Sequence, residues 1–287
     1  MWTRSDAAMK QPSTRTYAEF TARAPLAHRA RAITRDLAIR ALAVGRRIGG
    51  RGWVRFVFYH HVFADERAGF ARQLRFLSGQ GEFLSLDDAL AIVRRERSAD
   101  GRNFCVGFDD GLKSCATGAL PVLAEMRVPA VFYVVSDLIG HSFAADDAIA
   151  RDAFGFQGRD TALEFMTWED CRALVAAGMT VGSHSRSHAN LALLDRAQAL
   201  AEMTDSKQAI ERALGRECRH FCAPYGQPVR HFDPVRDPSL AREAGYASFA
   251  SSARGAMTAG SDPFLIKRDH LLANWGEHQL RYFLSRG

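Results

Sequence analysis

The sequence has few cysteines and no long hydrophobic run. Only five of its 287 residues are cysteines, and none of them belongs to a Cys-x-x-Cys pair. This usage favours a reducing compartment, so we expect a cytoplasmic protein with free cysteines. No segment approaches the roughly 18 consecutive apolar residues that a membrane-spanning helix needs. The N-terminal residues lack the apolar core of a secretory signal, because Arg and Lys recur throughout them.

Acidic residues are scarce in the first part of the chain. Residues 1–50 contain ten Lys or Arg against three Asp or Glu, whereas the rest contains 28 against 29. The net charge of +6 therefore belongs to a basic leader, residues 1–52, and not to residues 53–287, which we interpret as one domain. That domain has no basic patch and no aromatic readout motif, so no nucleic-acid partner is expected.

Apolar residues of the leader recur at steps of three and four, with arginines between them. The members of this stripe are Leu26, Ala30, Ile33, Leu37, Ala41, Val44 and Ile48. The spacing predicts an amphipathic helix. We expect the helix to pack on the domain and to keep its basic face in solvent. The alternative is a peripheral contact with anionic lipid, for instance at the inner membrane.

From Trp53 onward, short apolar runs alternate with helical patterns. Strands are predicted at 54–59, 82–84, 104–108, 130–135, 179–183, 220–223, 246–251 and 264–267. Helices are predicted at 66–78, 86–97, 114–126, 168–177, 194–213, 236–244 and 277–285. This alternation with short connections predicts an α/β fold with a parallel sheet, open or closed into a barrel. The one long connection, 140–166, contains four phenylalanines and is expected to form a lid.

Two adjacent carboxylates stand at the end of a predicted core strand. The apolar run Phe104–Phe108 leads directly into Asp109 and Asp110. Reacting groups of parallel α/β folds gather at the carboxyl ends of strands. Neighbouring carboxylates repel each other and resist burial, so a cation, a proton or solvent is needed there.

A second predicted strand ends in two histidines, His184 and His188. Two imidazoles and one carboxylate are the protein ligands of an open zinc site, and one aspartate then stays free as a base. Ser185 stands where a metalloprotease would carry Glu after its first histidine. Iron oxygenases with the same ligand set are usually all-β, which leaves metal-assisted hydrolysis.

A third strand end contains a proline and a glycine, Pro224 and Gly226. Proline fixes one backbone angle and glycine permits a tight turn, so a backbone N–H can point into the cleft there.

Together these segments resemble the motifs of the polysaccharide deacetylase (NodB-homology) family, in its exopolysaccharide-type branch. The matching segments are, in order, Phe108-Asp-Asp-Gly111, His184-Ser-Arg-Ser-His188 and Phe221-Cys-Ala-Pro-Tyr-Gly226. Residues 56–61 resemble the first strand of the family, and residues 167–191 resemble the approach to its histidines. The resemblance covers roughly residues 53 to 270.

The resemblance implies a distorted (β/α) barrel of the polysaccharide deacetylase type, preceded by the helical leader. It also implies a divalent metal, usually Zn²⁺, and hydrolysis of an N-acetyl group on an amino sugar. The substrate would be a polysaccharide, an oligosaccharide or a glycan precursor. Asp109 would be the general base, and Asp110, His184 and His188 would bind the metal. The backbone N–H of Tyr225 would help to hold the oxyanion.

Two departures from the family pattern bear on the remaining residues. Cys222 or Ala223 occupies the region where many members carry an Arg that orients the base. The late family motifs are represented only by Ile266–His270, which offers Arg268 to steady Asp109 and His270 as general acid. His60, Pro224 and Trp168 are the candidates for substrate contacts.

Two rival functions stay open. One is a deformylase or amidase that acts on a lipid-linked sugar or a small cyclic amide, which the basic leader would suit. The other is a non-catalytic carbohydrate-binding module, although all three ligands and the base are present.

Overall fold

A computed structural model describes residues 11–285, with the side chains of Leu26 and Arg29 outside the described part. The first ten residues of the leader, and the side chain of the first member of its predicted stripe, therefore lie outside the described residues.

Seven of the eight predicted strands form, in the predicted order along the chain, and the described residues contain further short strands that were not predicted. The strands are β1 (Trp53–Tyr59), β2 (Glu82–Phe83), β3 (Arg102–Phe108), β4 (Ala130–Val134), β5 (Ser142–Phe143), β6 (Leu163–Glu164), β7 (Thr180–Ser183), β8 (His220–Cys222), β9 (Ser248–Ala250), β10 (Met257–Thr258) and β11 (Arg268–His270).

The helices lie between the strands and at both ends. They are α1 (Tyr17–Phe20), α2 (Leu26–Ala43), α3 (Arg67–Ser78), α4 (Leu86–Val93), α5 (Leu120–Met126), α6 (Ala148–Asp152), α7 (Trp168–Ala176), α8 (Arg196–Leu214), α9 (Arg236–Glu243) and α10 (Glu277–Leu284). A π-helical turn, Cys115–Ala119, precedes α5.

The parallel strands form a nearly closed barrel. Their order is β1, β3, β4, β7, β8 and β9; the short antiparallel β10 and then β11 pair with the other side of β1. A parallel bridge between Ala250 and Ile266 connects the β9 side to the segment that enters β11. The predicted fold class is thus confirmed: a distorted (β/α) barrel.

Barrel closure brings several strand ends to one mouth. Strands β1 and β3 are buried over nearly their whole length, as expected for parallel strands covered on both faces. Chain segments that leave β1, β3 and β7 carry His60, Asp109 and His184, and β11 ends at His270. The carboxyl ends of parallel strands thus gather the polar residues that the sequence singled out.

The last barrel strand differs from the prediction. The apolar run 264–267 was expected to form it, but the paired residues are Arg268–His270. Arg268 and Asp269 are charged yet buried, because each forms an ion pair, with Asp109 and Arg55 respectively. Hydrophobic patterning does not detect a strand whose burial depends on partners far away in the sequence.

The leader helix α2 packs on the domain with a different face from the predicted one. Its buried side chains are Ile39 and Ala43, followed by Ile48, which alone of the three belonged to the predicted stripe. The ring nitrogen of His278 on α10 lies 2.6 Å from Asp36. The apolar side chains of Ile33 and Leu37 point to solvent.

Residues before α2 are joined to the long connection 140–166. Ser13 forms a bridge with Ala162, and the N–H of Gln157 donates to the carbonyl of Phe20. The connection contains the antiparallel strand pair β5 and β6 with α6 between them, and its phenylalanines are buried. It therefore packs as a wall of the barrel mouth, where a lid was expected.

Among the described residues, no helix has the length and apolar character needed to cross a bilayer.

Candidate active site

A cleft of about 470 Å³ opens at the barrel mouth. Its walls include Asp109, Asp110, His184, His188 and Tyr225. These residues come from three segments that are widely separated in the sequence, and the barrel brings them together.

Asp109 is buried and held by an arginine. The guanidinium of Arg268 donates to both carboxylate oxygens, at 2.7 and 2.8 Å. Burial alone would raise the pKa of Asp109, but Arg268 and His184 outweigh it and leave the pKa below its ordinary value. The carboxylate is therefore ionised and fixed in orientation, as a proton acceptor should be.

Asp110 faces the two histidines. One of its oxygens lies 3.4 Å from Nε2 of His184 and 3.4 Å from Nε2 of His188. Burial would raise the pKa of Asp110, but the contacts with both histidines hold it well below its ordinary range. Neighbouring aspartates thus have different partners, an arginine for one and two imidazoles for the other.

The donor set of Asp110, His184 and His188 fits a divalent cation. One ligand atom from each lies within 4.8 Å of the others, and all three residues are buried. Nδ1 of His184 lies 2.8 Å from the carbonyl oxygen of Cys222, to which it can donate. This bond would leave the Nε2 lone pair available to a cation shared with Asp110, as in histidine ligands of zinc.

A second group, Asp109 with His184 and Cys222, also has ligand atoms in proximity. It is the poorer cation site, because both oxygens of Asp109 are already taken by Arg268. Burial also raises the pKa of the Cys222 thiol, which disfavours the thiolate that a metal requires.

Left-handed backbone geometry is concentrated at this mouth. Asp110, Ser185, His188 and Tyr225 all have positive φ, between 58° and 71°. Such conformations cost energy for residues other than glycine and are typical of functional sites. Two of the three candidate ligands are therefore held in geometries that the surrounding structure must impose.

Glu202 supports the histidine loop and was not found from the sequence. It lies on α8, and its carboxylate accepts bonds from the N–H and the hydroxyl of Ser187, both at 2.8 Å. Ser185 Oγ accepts from the N–H of His188 at 3.0 Å. A detectable signal was present: Glu202 occupies a core position between Ala199 and Met203, where an apolar residue is normal.

His60 and His270 form a pair on the other side of the cleft. Nδ1 of His60 lies 3.0 Å from Nε2 of His270, so one ring donates to the other. Burial and the neighbouring His60 lower the pKa of His270 to about 3. The carboxylates of Asp110 and Asp109 partly offset the effect of burial on His60, whose pKa is also lowered. The adjacent His61 binds Glu66 instead, at 3.0 Å.

The third motif places Tyr225 at the rim of the cleft. Its ring centroid lies 4.6 Å from that of His188, and the following Gly226 has φ +68°. A Cβ on Gly226 would lie 2.7 Å from the backbone nitrogen of Ser252, so only glycine fits this turn. In the part of the chain that the structure describes, Pro224 and Trp168 do not line the cleft; both lie outside its walls.

Two phenylalanines outside the motifs also line the cleft. Phe154 comes from the long connection, and its ring centroid lies 4.9 Å from that of His188. Phe20 comes from the leader and packs against His61 at 5.1 Å. The leader therefore contributes a wall residue, which no motif indicated.

Relatives with known names match about half of the chain. A chitooligosaccharide deacetylase of Rhizobium leguminosarum bv. trifolii is 30% identical over 132 residues, which cover 46% of this chain and 50% of the relative. A second one, from Bradyrhizobium sp. (strain ANU 289), is 28% identical over 148 residues, covering 50% and 55%. The chain thus spans about half the length of these curated relatives.

Solved structures share the fold over most of the chain. IcaB from Ammonifex degensii superimposes with a TM-score of 0.68 at 20% identity, covering 83% of this chain and 98% of IcaB. The Streptococcus pyogenes deacetylase PplD gives 0.65 at 17% identity, covering 82% and 99%. At these identities the likeness establishes the barrel fold.

The polysaccharide deacetylase family model matches residues 97–247, just over half of the chain. The matched region contains all three motifs, from the aspartate pair to the turn at Tyr225. By its sequence, by its barrel and by the residues at the mouth, this chain belongs to the polysaccharide deacetylase family.

Proposed function

We propose that the protein is a metal-dependent carbohydrate N-deacetylase, which hydrolyses the N-acetyl group of an amino sugar. The observation that carries this proposal is that Asp109 and Asp110, although adjacent, have different partners. Arg268 engages both oxygens of the first, and His184 and His188 face the second. Metal-assisted amide hydrolysis can use one carboxylate to accept a proton and another to complete a cation site, and this pair would supply both.

Asp110, His184 and His188 would hold the cation, and the donor set favours Zn²⁺. When bound, such a cation supplies Lewis-acid chemistry that lowers the pKa of water and polarises an amide carbonyl. Asp109 accepts the proton of the attacking water, since Arg268 keeps its carboxylate ionised and aimed.

The backbone N–H of Tyr225 is our candidate donor to the oxyanion. The turn at Pro224–Gly226 brings Tyr225 to the cleft. Because φ of Tyr225 is positive, its backbone does not continue in the direction of the preceding strand. A well-placed donor of this kind contributes roughly 3–4 kcal/mol to transition-state stabilisation.

The leaving amine must receive a proton, and the His60–His270 pair is the candidate source. His270 remains our candidate acid, and the 3.0 Å contact makes His60 its partner. Both rings have a lowered pKa and are neutral in the resting cleft, so the pair must first take up a proton, for which the one that Asp109 accepts from water is the source. One ring then donates it to the amine while the other orients it, so replacing either should slow the reaction.

The substrate class follows from the family and from the shape of the cleft. The named relatives are chitooligosaccharide deacetylases, which favours N-acetylglucosamine oligomers as first candidates. Apolar walls at Phe154 and Tyr225 stand beside the carboxylates. Such a combination suits a sugar ring, whose C–H face packs on aromatic rings while its hydroxyls meet polar groups.

The experiment is release of acetate from N-acetylglucosamine oligomers by the full chain, after chelation and again after adding Zn²⁺. We expect acetate and free amine in equal amounts, only with metal. An N-formylated oligomer is tested in parallel. Preferential formate release would support the deformylase alternative, and oligomer binding with no release by the metal-loaded protein would support the non-catalytic module. Either result would overturn the proposal.

A further inference from the structure

The leader helix α2 has two apolar faces, and the domain covers only one. The covered face consists of Ile39 and Ala43. Contacts with α10 hold it there: Asp36 is 2.6 Å from His278, and the guanidinium of Arg46, just beyond the helix, lies over the ring of Tyr282. These contacts fix the rotation of the helix about its axis, and therefore fix what its other face presents.

The second face is exposed. Ile33 is 63% exposed, Leu37 is 62% exposed and Val44 is 81% exposed. A spacing of four residues places Ile33 and Leu37 on one stripe of the helix, and Val44, the residue that ends it, follows Leu37 by seven residues, about two turns. Ala30 and Ala41 lie on the same side and are also exposed. We call Ile33, Leu37 and Val44 the outer face.

Arg40 follows Leu37 by three residues and adjoins the outer face. Arg31 and Arg35, by contrast, are each two residues from Ile33 and lie on the opposite, polar side of the helix. Arg31, Arg35 and Arg40 are exposed on α2, whose single acidic residue is Asp36. That one carboxylate is engaged by both Arg40 and His278. An exposed apolar stripe, with a surplus of positive charge on the polar side of the same helix, matches the acyl and headgroup layers of an anionic membrane surface.

We propose that the outer face of α2 docks on the surface of an anionic lipid bilayer, with the helix lying in the interface. A second copy of the chain fits this face less well, because three exposed side chains, one of them beyond the end of the helix, bury much less area than a stable dimer needs. A nucleic acid would use the arginines but would leave the apolar stripe in water. Lipid alone satisfies both components.

Docking would also orient the cleft. Phe20, which lines the cleft, lies only six residues before the start of α2. A chain anchored through α2 would thus keep Phe20, at the wall of the cleft, within about 20 Å of the start of the anchored helix. The inference does not depend on the proposed deacetylation, since vesicle binding is measured without any substrate.

The test is flotation of the full chain with vesicles of phosphatidylcholine alone or mixed with phosphatidylglycerol. The outer-face variant is Ile33→Ser/Leu37→Ser/Val44→Ser. The matched control is Leu193→Ser/Val235→Ser, which removes apolar side chains that are each 80% exposed elsewhere. Melting curves of both should overlay that of the unaltered protein, because the replaced side chains face solvent.

We expect binding to the anionic vesicles only, weakening as salt rises, since exposed charges are screened over about 10 Å at ~0.1 M. The outer-face variant should lose at least about tenfold in partitioning. The control should bind like the unaltered protein. An Arg31→Gln/Arg35→Gln variant should bind more weakly, with a flatter salt dependence.

Three results would overturn the proposal. One is absence of binding to anionic vesicles at low salt. Another is equal loss of binding in the control variant, which would show that α2 is not the contact. The third is a dimer in light scattering that dissociates in the outer-face variant, which would assign the face to a second copy.

Discussion

The cleft and the leader helix both carry charged side chains in unusual settings, but these side chains are paired in opposite ways. In the cleft, Asp109 and Arg268 are buried and matched oxygen to nitrogen at 2.7 and 2.8 Å. On α2, the single carboxylate, Asp36, pairs with Arg40 and His278, and Arg31 and Arg35 are exposed. A buried charge is stable only with a fixed partner inside the protein, whereas an exposed charge is solvated and can bind another molecule. The first arrangement indicates chemistry inside the molecule, and the second indicates contact beyond it.

The largest effect is expected at the cleft, from His184→Ala. The change removes one of three candidate ligands, and the remaining Asp110 and His188 form an incomplete site. Activation of water and polarisation of the carbonyl would be lost together, so activity should fall by about three orders of magnitude or more. Metal content by atomic absorption, measured beside acetate release, checks it. A variant that stays active with no bound metal would contradict the metal centre.

Replacing the two aspartates separately tests whether they have different roles. Asp109→Asn should keep bound metal and lose about a hundredfold to ten-thousandfold in kcat, the range typical for a general base. Asp110→Asn should lose metal as well as activity. The two variants are matched, since they alter neighbouring carboxylates by the same chemical change. The opposite pattern of metal loss would mean that the two roles are exchanged.

Replacing Arg268 tests whether its ion pair with Asp109 contributes to activity. Arg268→Gln should lower activity by about ten- to a hundredfold with metal content unchanged, because Asp109 loses its orienting partner. Arg268→Lys retains the charge but cannot donate to both oxygens, so it should recover part of the loss. Steady-state kinetics should place the effect on kcat. Unaltered kcat in both variants would make Arg268 a structural residue only.

The motif residues of the cleft could be predicted from the sequence, but the contacts between its distant segments could not. Asp109, Asp110, His184 and His188 were found because each motif is local and follows a strand, and the barrel fold then brings strand ends together. The contact between His60 and His270 joins residues that are 210 positions apart in the sequence, and no local pattern encodes such a contact.

The leader shows the limit of periodicity. Both the outer face and the pair Ile39 and Ala43 satisfy helical spacing, so the pattern predicted the helix correctly but not the side that packs. That choice depends on α10, whose contact between His278 and Asp36 spans 242 residues. Periodicity detects an apolar face, and only the tertiary partner decides whether it is covered.

Ile39→Ser and Ile33→Ser compare the two faces of α2 directly. Ile39 is buried, and replacing it should cost about 2–4 kcal/mol of the free energy of unfolding or detach the leader. Ile33 is exposed, so the same change there should stay within about 0.5 kcal/mol. Chemical denaturation measures both. Equal destabilisation by the two changes would mean that the helix is rotated from the orientation described here.

The smallest expected effect is the pH dependence of the contact between α2 and α10. Burial raises the pKa of Asp36, but its bonds with His278 and Arg40 outweigh this and lower the pKa below the ordinary 3.8. A carboxyl whose pKa is lowered on folding stabilises the protein above that ordinary value. The contribution is then lost as the pH falls through the lowered pKa.

Asp36→Asn should therefore lower the melting temperature slightly at pH 7, by the equivalent of about 1 kcal/mol or less, since Arg40 is largely exposed. The difference between the variant and the unaltered protein should shrink as the pH is lowered below 4 and should not change between pH 6 and 8 on account of Asp36. Melting curves of both proteins over pH 3 to 8 measure it. A difference that grew toward low pH would show that Asp36 is not held by these contacts, and would leave the orientation of the outer face without its anchor.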